Sequence, residues 1–341
     1  MNGACRGRIQ GLPTAVLFCS VLLVLDVLGP TPAAGQEEIL SLAQECGGED
    51  ATTLDRCREV ALRTQAARGV VGLVAGGGPE LPGSAGTVGL RIGNVPRISV
   101  AARFNAAHAS FTGRLPPVGD PLPDGTLSAA DVFVTGLDLT GGVGLFDGFS
   151  PLPTVGGVLS LDVLATGSFL FLPEDRGFPS SEFVFGAGAR LGLLRESFSL
   201  PGVSASVVRR WGGEMGVEGG GGVGSGAFDV SSTSLRVTAG KDLVGVGLLL
   251  GAGLDRHSGA VSISTTGAMG PVGDPAWDAT VGELPDTRPV FFGGASLNYL
   301  VLQLSAEVGW VGGFEPVPDR PSGYDPTKGS WFGGLGARLT Y

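Results

Sequence analysis

SWFGGLGARLTY, at Ser330–Tyr341, alternates apolar residues with small or polar ones. The first set is Trp331, Leu335, Ala337, Leu339 and Tyr341, and the second is Phe332, Gly334, Gly336, Arg338 and Thr340. A period of two over this length predicts a β-strand with two different faces. The same alternation recurs from Gly69 onward, so we predict that the rest of the chain consists mainly of β-strands.

Twelve segments with this alternation follow one another along the chain. In one of them, Val244, Val246 and Leu248 alternate with Gly245 and Gly247, and Leu249 is an exception. We predict strands at about 69–77, 86–94, 97–111, 131–146, 157–172, 182–194, 203–217, 228–240, 244–256, 288–299, 301–312 and 330–341. The first of these is the weakest, and ten strands is the alternative count.

Short and long connections between these strands alternate. Counted back from the last strand, the short turns fall at one end of the sheet and the longer loops at the other. A closed transmembrane barrel has short periplasmic turns and longer outer loops. Glycine weakens a strand in water. A closed barrel can nevertheless carry many glycines in a bilayer, because every backbone polar group is paired with a neighbouring strand.

The terminal strand and the alternating connections together resemble Gram-negative outer-membrane β-barrel proteins. The resemblance covers about residues 69–341 and implies an all-β, antiparallel transmembrane barrel of about twelve strands in the outer membrane. It also implies that outer-membrane lipid surrounds the barrel and that the insertion machinery reads a C-terminal signal, here Leu335, Ala337, Leu339 and Tyr341.

Composition sets further limits. The 341 residues include 61 Gly, 16% charged residues and a net charge of −10, which argues against nucleic acid as a partner. A basic start, an apolar run at 15–28 and small residues before Gln36 predict a cleaved signal peptide at 1–35. The remaining divisions are a helical segment at 36–68 and the barrel at 69–341.

The segment 36–68 has helical spacing on both sides of Gly47 and Gly48. We predict a periplasmic helical hairpin that lies below the barrel or plugs it. Cys46 and Cys57 are the only cysteines beyond the predicted signal peptide, and an oxidising compartment favours a disulfide between them.

Several charged residues fall at positions that alternate with the apolar face, so we expect them to point into the lumen. A layer of Arg–carboxylate pairs would either select solutes by charge or brace the wall. The predicted layer consists of Arg91, Arg103, Asp138, Asp162, Arg190, Arg210, Arg236, Glu307 and Arg338.

The function that these features favour is passage of an unidentified small solute across the outer membrane, by a porin-like or fatty-acid-transporter-like route. Ser199–Arg209, reading SLPGVSASVVR, is similar to turn-plus-strand stretches of long-chain fatty-acid transporter barrels. The Asn-Pro-Ala-Gly motif of that family is absent, so no ligand site is carried over. The alternative is a non-conducting structural or adhesive barrel that acts through its outer loops.

Catalysis, metals and cofactors receive little support from the sequence. His108 and Ser110 share a strand face, but an outer-membrane phospholipase would also need an amide partner that does not follow them. The 257–287 connection is acidic, and its spacing fits a solvated loop better than a Ca²⁺ site. We therefore expect no enzymatic activity, no metal and no cofactor.

Overall fold

The computed structural model describes residues 34–47, 51–85, 96–111, 129–149, 158–198, 200–218, 225–265, 277–283, 286–314 and 324–340. Two helices come first, α1 (Ala34–Gly47) and α2 (Ala51–Gly76), and a short 3-10 helix (Glu174–Arg176) lies later in the chain. Neither helix is long and apolar enough to cross a membrane, within the part of the chain that is described. The strands are β1 (Arg97–Phe111), β2 (Ala130–Phe146), β3 (Ser160–Phe171), β4 (Ser181–Leu194), β5 (Gly202–Glu218), β6 (Ser225–Leu243), β7 (Val246–His257), β8 (Ala260–Thr265), β9 (Trp277–Glu283), β10 (Asp286–Tyr299), β11 (Leu302–Val311) and β12 (Ser330–Thr340).

Ten of these strands close into one antiparallel barrel. Neighbours pair in the order β1 to β7, then β10, β11 and β12, and β12 pairs with β1 to complete the ring. The predicted fold class, an antiparallel barrel with a short helical N-terminal segment, is confirmed. All ten wall strands correspond to segments predicted from 97 onward.

The closed ring has ten strands, which is the alternative count, and the described sheet reaches twelve strands only because β8 and β9 extend it beyond the ring. Residues 69–76 continue helix α2 and do not form a strand. The predicted strand 86–94 lies outside the described residues. The predicted boundary between residues 68 and 69 also falls within α2.

Strands β8 and β9 form a hairpin that extends the wall beyond the ring. Both β7 and β8 pair with β6, and β8 pairs with β9 just as β7 pairs with β10. Gly259 separates β7 from β8 with φ of 142°, and a Cβ there would lie 2.8 Å from the carbonyl oxygen of Asp229. Part of the 257–287 connection, predicted as an acidic loop, is therefore a strand pair.

The outward positions of the wall are apolar, with aromatic residues near the long-loop end. Leu250, Leu304 and Leu335 expose 71%, 49% and 65% of their surface. Aromatic side chains of five strands form an outer belt: Phe133, Phe171, Phe183, Phe185, Phe291 and Trp331. An apolar band with an aromatic girdle is the lipid-facing surface of a transmembrane barrel.

The inward positions fall into two zones. Toward the long loops most of them are apolar and pack against α2, with Phe111, Val134, Leu170 and Phe228 all buried, although Asp286 and Arg288 of β10 are buried there as well. Around the middle and toward the short turns they carry the charged residues, Arg103 and Arg236 among them. The lumen is therefore only partly the ionic interior that the sequence predicts.

Leu335→Arg tests the lipid-facing band. Leu335 points outward from the middle of β12, so an arginine there should lower the free energy of unfolding in vesicles by about 2–4 kcal/mol. Val244→Arg is the control, because Val244 is fully exposed in the short turn between β6 and β7, and it should change that free energy little. Equal losses in urea titrations of the two variants would contradict a lipid-facing β12.

Candidate functional site

Helix α2 and the residues that follow it run through the inside of the barrel. We call residues 59–85 the luminal segment, in which every position from 59 to 83 is buried. A Cβ at Gly226, at the long-loop end of β6, would meet Thr64. A Cβ added at Gly72 would likewise meet the His257 ring, and one added at Gly83 would meet the Gln303 side chain near the short turns. The chain thus descends from the long-loop end to the short-turn end, where β1 begins.

The two helices meet at the long-loop end. Helix α1 contacts β8 and β9, which extend beyond the ring on that side. The disulfide between Cys46 and Cys57 joins α1 to α2, as the cysteine pair predicts. The Arg63 guanidinium donates a hydrogen bond to the carbonyl oxygen of Arg176 in the β3–β4 connection.

The sequence predicts a periplasmic hairpin or a plug for residues 36–68; residues 59–68 of α2 lie inside the ring, and the side of the membrane on which α1 lies stays a prediction. Helical spacing shows that the segment is helical, but it does not show at which end of the barrel the helices lie. The position follows from contacts with strands that are distant in sequence.

The C-terminal end of α2 is capped by the barrel wall. A helix leaves its last four carbonyl groups without intrahelical partners. The Leu73 oxygen accepts from the backbone N–H of Gly77 at 2.7 Å. The other three accept from the wall: Val74 from Asn105 Nδ2 (3.1 Å), Ala75 from Ser168 Oγ (3.5 Å) and Gly76 from Arg236 Nη2 (2.9 Å). All four groups are paired, and a cation stands at the negative end of the helix dipole.

The backbone beyond the helix is held in the same way. Arg236 Nε donates to the Gly78 oxygen at 3.2 Å, and Arg103 Nη1 donates to the Pro79 oxygen at 3.0 Å. Gly78 has φ of +82°, and a Cβ there would lie 2.8 Å from Arg103 Nη1, so only glycine fits this turn.

Further down, Gly83 is held by three groups of the wall. Its carbonyl oxygen accepts from Ser296 Oγ at 3.2 Å and from Gln303 Nε2 at 2.8 Å. Its N–H donates to Glu307 Oε1 at 3.3 Å. The wall thus fixes the lower part of the luminal segment largely through its backbone, and the Glu80 side chain adds an ion pair with Arg210.

The predicted charges meet in three groups inside the barrel. Arg103 bridges Asp138 (3.1 Å) and Glu307 (3.3 Å). Arg236 pairs with Asp255 at 2.6 Å, and Arg210 pairs with Glu80 of the luminal segment at 2.6 Å. Buried ion pairs of this kind hold groups in place, because removing one partner leaves an uncompensated charge.

The remaining predicted residues have separate surroundings. Asp162 pairs with Arg97 at 3.2 Å, and Arg190 donates to Ser204 Oγ at 3.0 Å and to the Ser84 oxygen at 3.1 Å. Arg338 is buried, and its Nε has no hydrogen-bond partner among the described residues. Arg91 lies outside the described residues.

The predicted insertion signal lies on the last strand. Leu335 and Leu339 point outward, with 65% and 56% of their surface exposed, and Ala337 is partly exposed between them. Tyr341 lies outside the described residues. The reading of this strand by the insertion machinery stays a prediction.

Sequence reasoning missed three charged partners: Glu80, Arg97 and Asp255. The signal for two of them was present. Arg97 has the same parity on β1 as Arg103, and Asp255 alternates with the apolar positions of β7. Glu80 carried no such signal, because it follows a helix and belongs to no strand.

His108, Ser110 and Asp131 lie together on the outward face. Asp131 Oδ1 is 3.7 Å from His108 Nε2 and accepts a hydrogen bond from Ser110 Oγ at 3.4 Å. In a nucleophilic serine site the base stands between the serine and the carboxylate. Here the carboxylate is the central group, so the arrangement does not activate the serine. Among the described residues, no group of three or more His, Cys, Asp or Glu could hold a metal ion.

Comparisons with known proteins found fold likenesses only. No family model matches the chain, and no curated protein matches it. Among solved structures, the transport unit of the autotransporter AIDA-I from Escherichia coli is 7% identical, with 82% of this chain and 99% of that one covered at a TM-score of 0.37. Neisserial surface protein A is 11% identical, with 72% and 97% covered at 0.29. The toluene transporter TodX of Pseudomonas putida is 10% identical, with 76% and 95% covered at 0.30. At TM-scores this low, none of them bears on the ligand or partner of this chain.

The barrel's own features place it in a membrane. A closed antiparallel ring of ten strands, an apolar outward band and an aromatic belt are the features of outer-membrane barrels. The chain therefore has the fold of Gram-negative outer-membrane β-barrels and is a protein of that membrane.

Arg236→Ala tests whether Arg236 holds the luminal segment in place. The substitution removes the partner of Asp255 and the donors to the Gly76 and Gly78 oxygens, so we expect a loss of about 3–5 kcal/mol in the free energy of unfolding. Arg176→Ala removes a partly exposed guanidinium outside the lumen and should cost less than about 1 kcal/mol. Chemical unfolding of both variants in the same vesicles makes the comparison. A similar small loss in both would mean that Arg236 does not hold the segment.

Proposed function

We propose that the chain is an outer-membrane barrel held closed by its own luminal segment, and that it carries a disulfide-bonded helical pair on the outer side of the membrane. The single observation that carries the proposal is the path of residues 59–85 through the lumen. This function corresponds to the non-conducting structural or adhesive alternative.

Closure is supported by the way the segment is held. Its backbone oxygens accept hydrogen bonds from Arg103, Arg190 and Arg236, which also carry the charges expected to select solutes. Hydrogen bonds to charged groups contribute about 1.5–3 kcal/mol each. Arginines engaged in this way brace the interior and are not available to a passing ion.

Solute passage would require the segment to leave the lumen or to move aside. Such a movement would uncap the end of α2 and leave the Arg210–Glu80 pair broken. Each of these steps would leave a buried polar or charged group without its partner. A closed resting state therefore agrees better with the geometry than a permanently open channel.

The orientation of the barrel in the membrane supports display of the helical pair on the outer side. The long loops of an outer-membrane barrel face outward and the short turns face the periplasm. Helix α1 contacts β8 and β9 on the long-loop side. The pair and the extended β8–β9 hairpin then form one outer surface, which could contact another molecule. The proposal includes no catalytic step.

Planar-bilayer recording tests closure. The unsubstituted chain should give no steady conductance steps, whereas Arg103→Ala combined with Arg236→Ala should give openings, because the luminal segment loses its strongest anchors. Arg176→Ala combined with Arg195→Ala removes the same charge outside the lumen and should stay silent. Steady steps from the unsubstituted chain would instead identify a channel.

Cysteine labelling in intact cells tests sidedness. Gln44, on α1, and Val244, in a short turn, are both exposed and lie at opposite ends of the molecule. A membrane-impermeant maleimide should label Gln44→Cys in intact cells and Val244→Cys only after the outer membrane is permeabilised. The reverse pattern would place the helical pair in the periplasm and overturn the proposed display.

A further inference from the structure

Three of the short turns carry an apolar residue at their tip. The residues are Phe198 between β4 and β5, Val244 between β6 and β7, and Leu300 between β10 and β11, and each of them is fully exposed. Hairpin turns usually carry Gly, Asn or Asp, which suit both water and the turn backbone. Apolar tips on three turns at the same end of the barrel therefore indicate a surface that contacts something other than water.

The backbone at two of these tips disfavours the residue that stands there. Val244 and Gly245 form the whole β6–β7 turn with φ of 48° and 88°, and such a turn favours Asn or Gly at its first position. Leu300 begins the β10–β11 turn with φ of 51°, where glycine is preferred. A bulky or β-branched residue in this region is strained, and strain of this kind is typical of sites that interact with another molecule.

The same two turns are held in place by neighbouring strands. The Gly245 oxygen accepts a hydrogen bond from the backbone N–H of Asn298 on β10 at 2.8 Å. The Val301 oxygen accepts one from the backbone N–H of Thr340 on β12 at 3.0 Å. The wall therefore presents the apolar tips in fixed positions, which lowers the entropy that a contact with them would cost.

The length of the wall places the β10–β11 turn at the inner edge of the apolar band. Phe291 of the aromatic belt stacks on Trp310 of β11, with ring centroids 6.3 Å apart. Leu300 follows Phe291 by nine positions. At about 3.4 Å per residue and a strand tilt of about 35–45°, Leu300 lies roughly 22–25 Å below the belt. Because the apolar band of a transmembrane barrel is about 25 Å tall, this turn does not extend clear of the membrane.

The outward face of both hairpins is apolar where it reaches the turns. Leu243 pairs with Val246 at the end of the β6–β7 hairpin, and Tyr299 pairs with Leu302 at the end of the β10–β11 hairpin. All four side chains are exposed on the outer surface. The tips therefore continue the lipid-facing band, and this continuity favours lipid as their partner over a periplasmic protein.

We infer that Phe198, Val244 and Leu300 anchor the barrel in the inner leaflet of the outer membrane, where their side chains contact acyl chains next to the lipid headgroups. Short turns lie on the periplasmic side of an outer-membrane barrel, so the inner leaflet is the one within their reach. The anchor is separate from the luminal segment and does not depend on whether the barrel conducts.

Charged residues at the same end limit the depth of the anchor. Lys241 Nζ donates a hydrogen bond to the Phe198 oxygen at 3.0 Å and lies 3.5 Å from a Glu196 carboxylate oxygen. Asp242 is exposed beside them. Charged groups need water or headgroups around them, so the tips lie at the boundary of the hydrocarbon rather than deep within it. An arginine costs little at that level, which agrees with the small effect expected of Val244→Arg on unfolding.

Spin-label accessibility tests the anchor in vesicles of phosphatidylethanolamine and phosphatidylglycerol. Nitroxide labels at Val244→Cys and Leu300→Cys are compared for collisions with oxygen, which concentrates in hydrocarbon, and with a water-soluble nickel complex. Leu304→Cys in the apolar band and Gln44→Cys on α1 are the lipid and water references. The oxygen-to-nickel ratio at both tips should exceed that at Gln44→Cys by at least about threefold and stay below that at Leu304→Cys. A ratio equal to that at Gln44→Cys would overturn the proposal.

Substitution of the tips gives a second test, with the label at Leu302→Cys. Val244→Asn combined with Leu300→Asn should lower the oxygen-to-nickel ratio there by at least about twofold, because turns without apolar tips move toward water. Asparagine suits the left-handed backbone, so both hairpins should still form.

Gly245→Asn is the matched control. It adds an amide to the β6–β7 turn at a position where a Cβ meets no atom within 4 Å, and it leaves all three apolar tips in place. The ratio at Leu302→Cys should therefore stay as in the unsubstituted turn. An unchanged ratio in the double variant, or an equal fall in the control, would contradict a lipid anchor.

Discussion

A helix that ends inside a barrel must have its last carbonyl groups paired by the surrounding wall, because unpaired buried backbone groups are costly. In this protein Asn105, Ser168 and Arg236 supply that pairing for the end of α2. The wall strands that carry them are far apart in the chain. The helix can therefore reach its position only within the closed ring, and the ring gains a packed interior from the helix.

The luminal arginines have more than one task in this arrangement. Arg236 neutralises Asp255 and caps the helix, and Arg103 joins two carboxylates while it holds the Pro79 carbonyl. A charge layer that only selected ions would leave these groups facing an open passage. Because the same groups bind backbone atoms of the luminal segment, bracing explains their presence better than selectivity.

The inner and outer surfaces of the wall contact different surroundings. Inside, the apolar zone packs on α2 near the long loops, and the ionic zone holds the extended residues that follow. Outside, leucine and aromatic residues face lipid. The apolar inner zone departs from a simple apolar-out, polar-in barrel because α2 packs against the wall there.

The sequence by itself determined the wall. Alternation from Arg97 to Thr340 predicted all ten of its strands, and the parity of Arg103, Asp138 and Arg236 predicted that they point inward, because side-chain direction along a strand follows a period of two. Only the tertiary structure decided what fills the ring. Gly69–Gly76 is helical although its glycine-rich alternation suggested a strand, since a helix buried on all sides has no amphipathic period to reveal it. The point at which the helix ends and its depth in the ring depend on contacts such as Arg236 with Gly76, which are 160 residues apart and leave no local pattern.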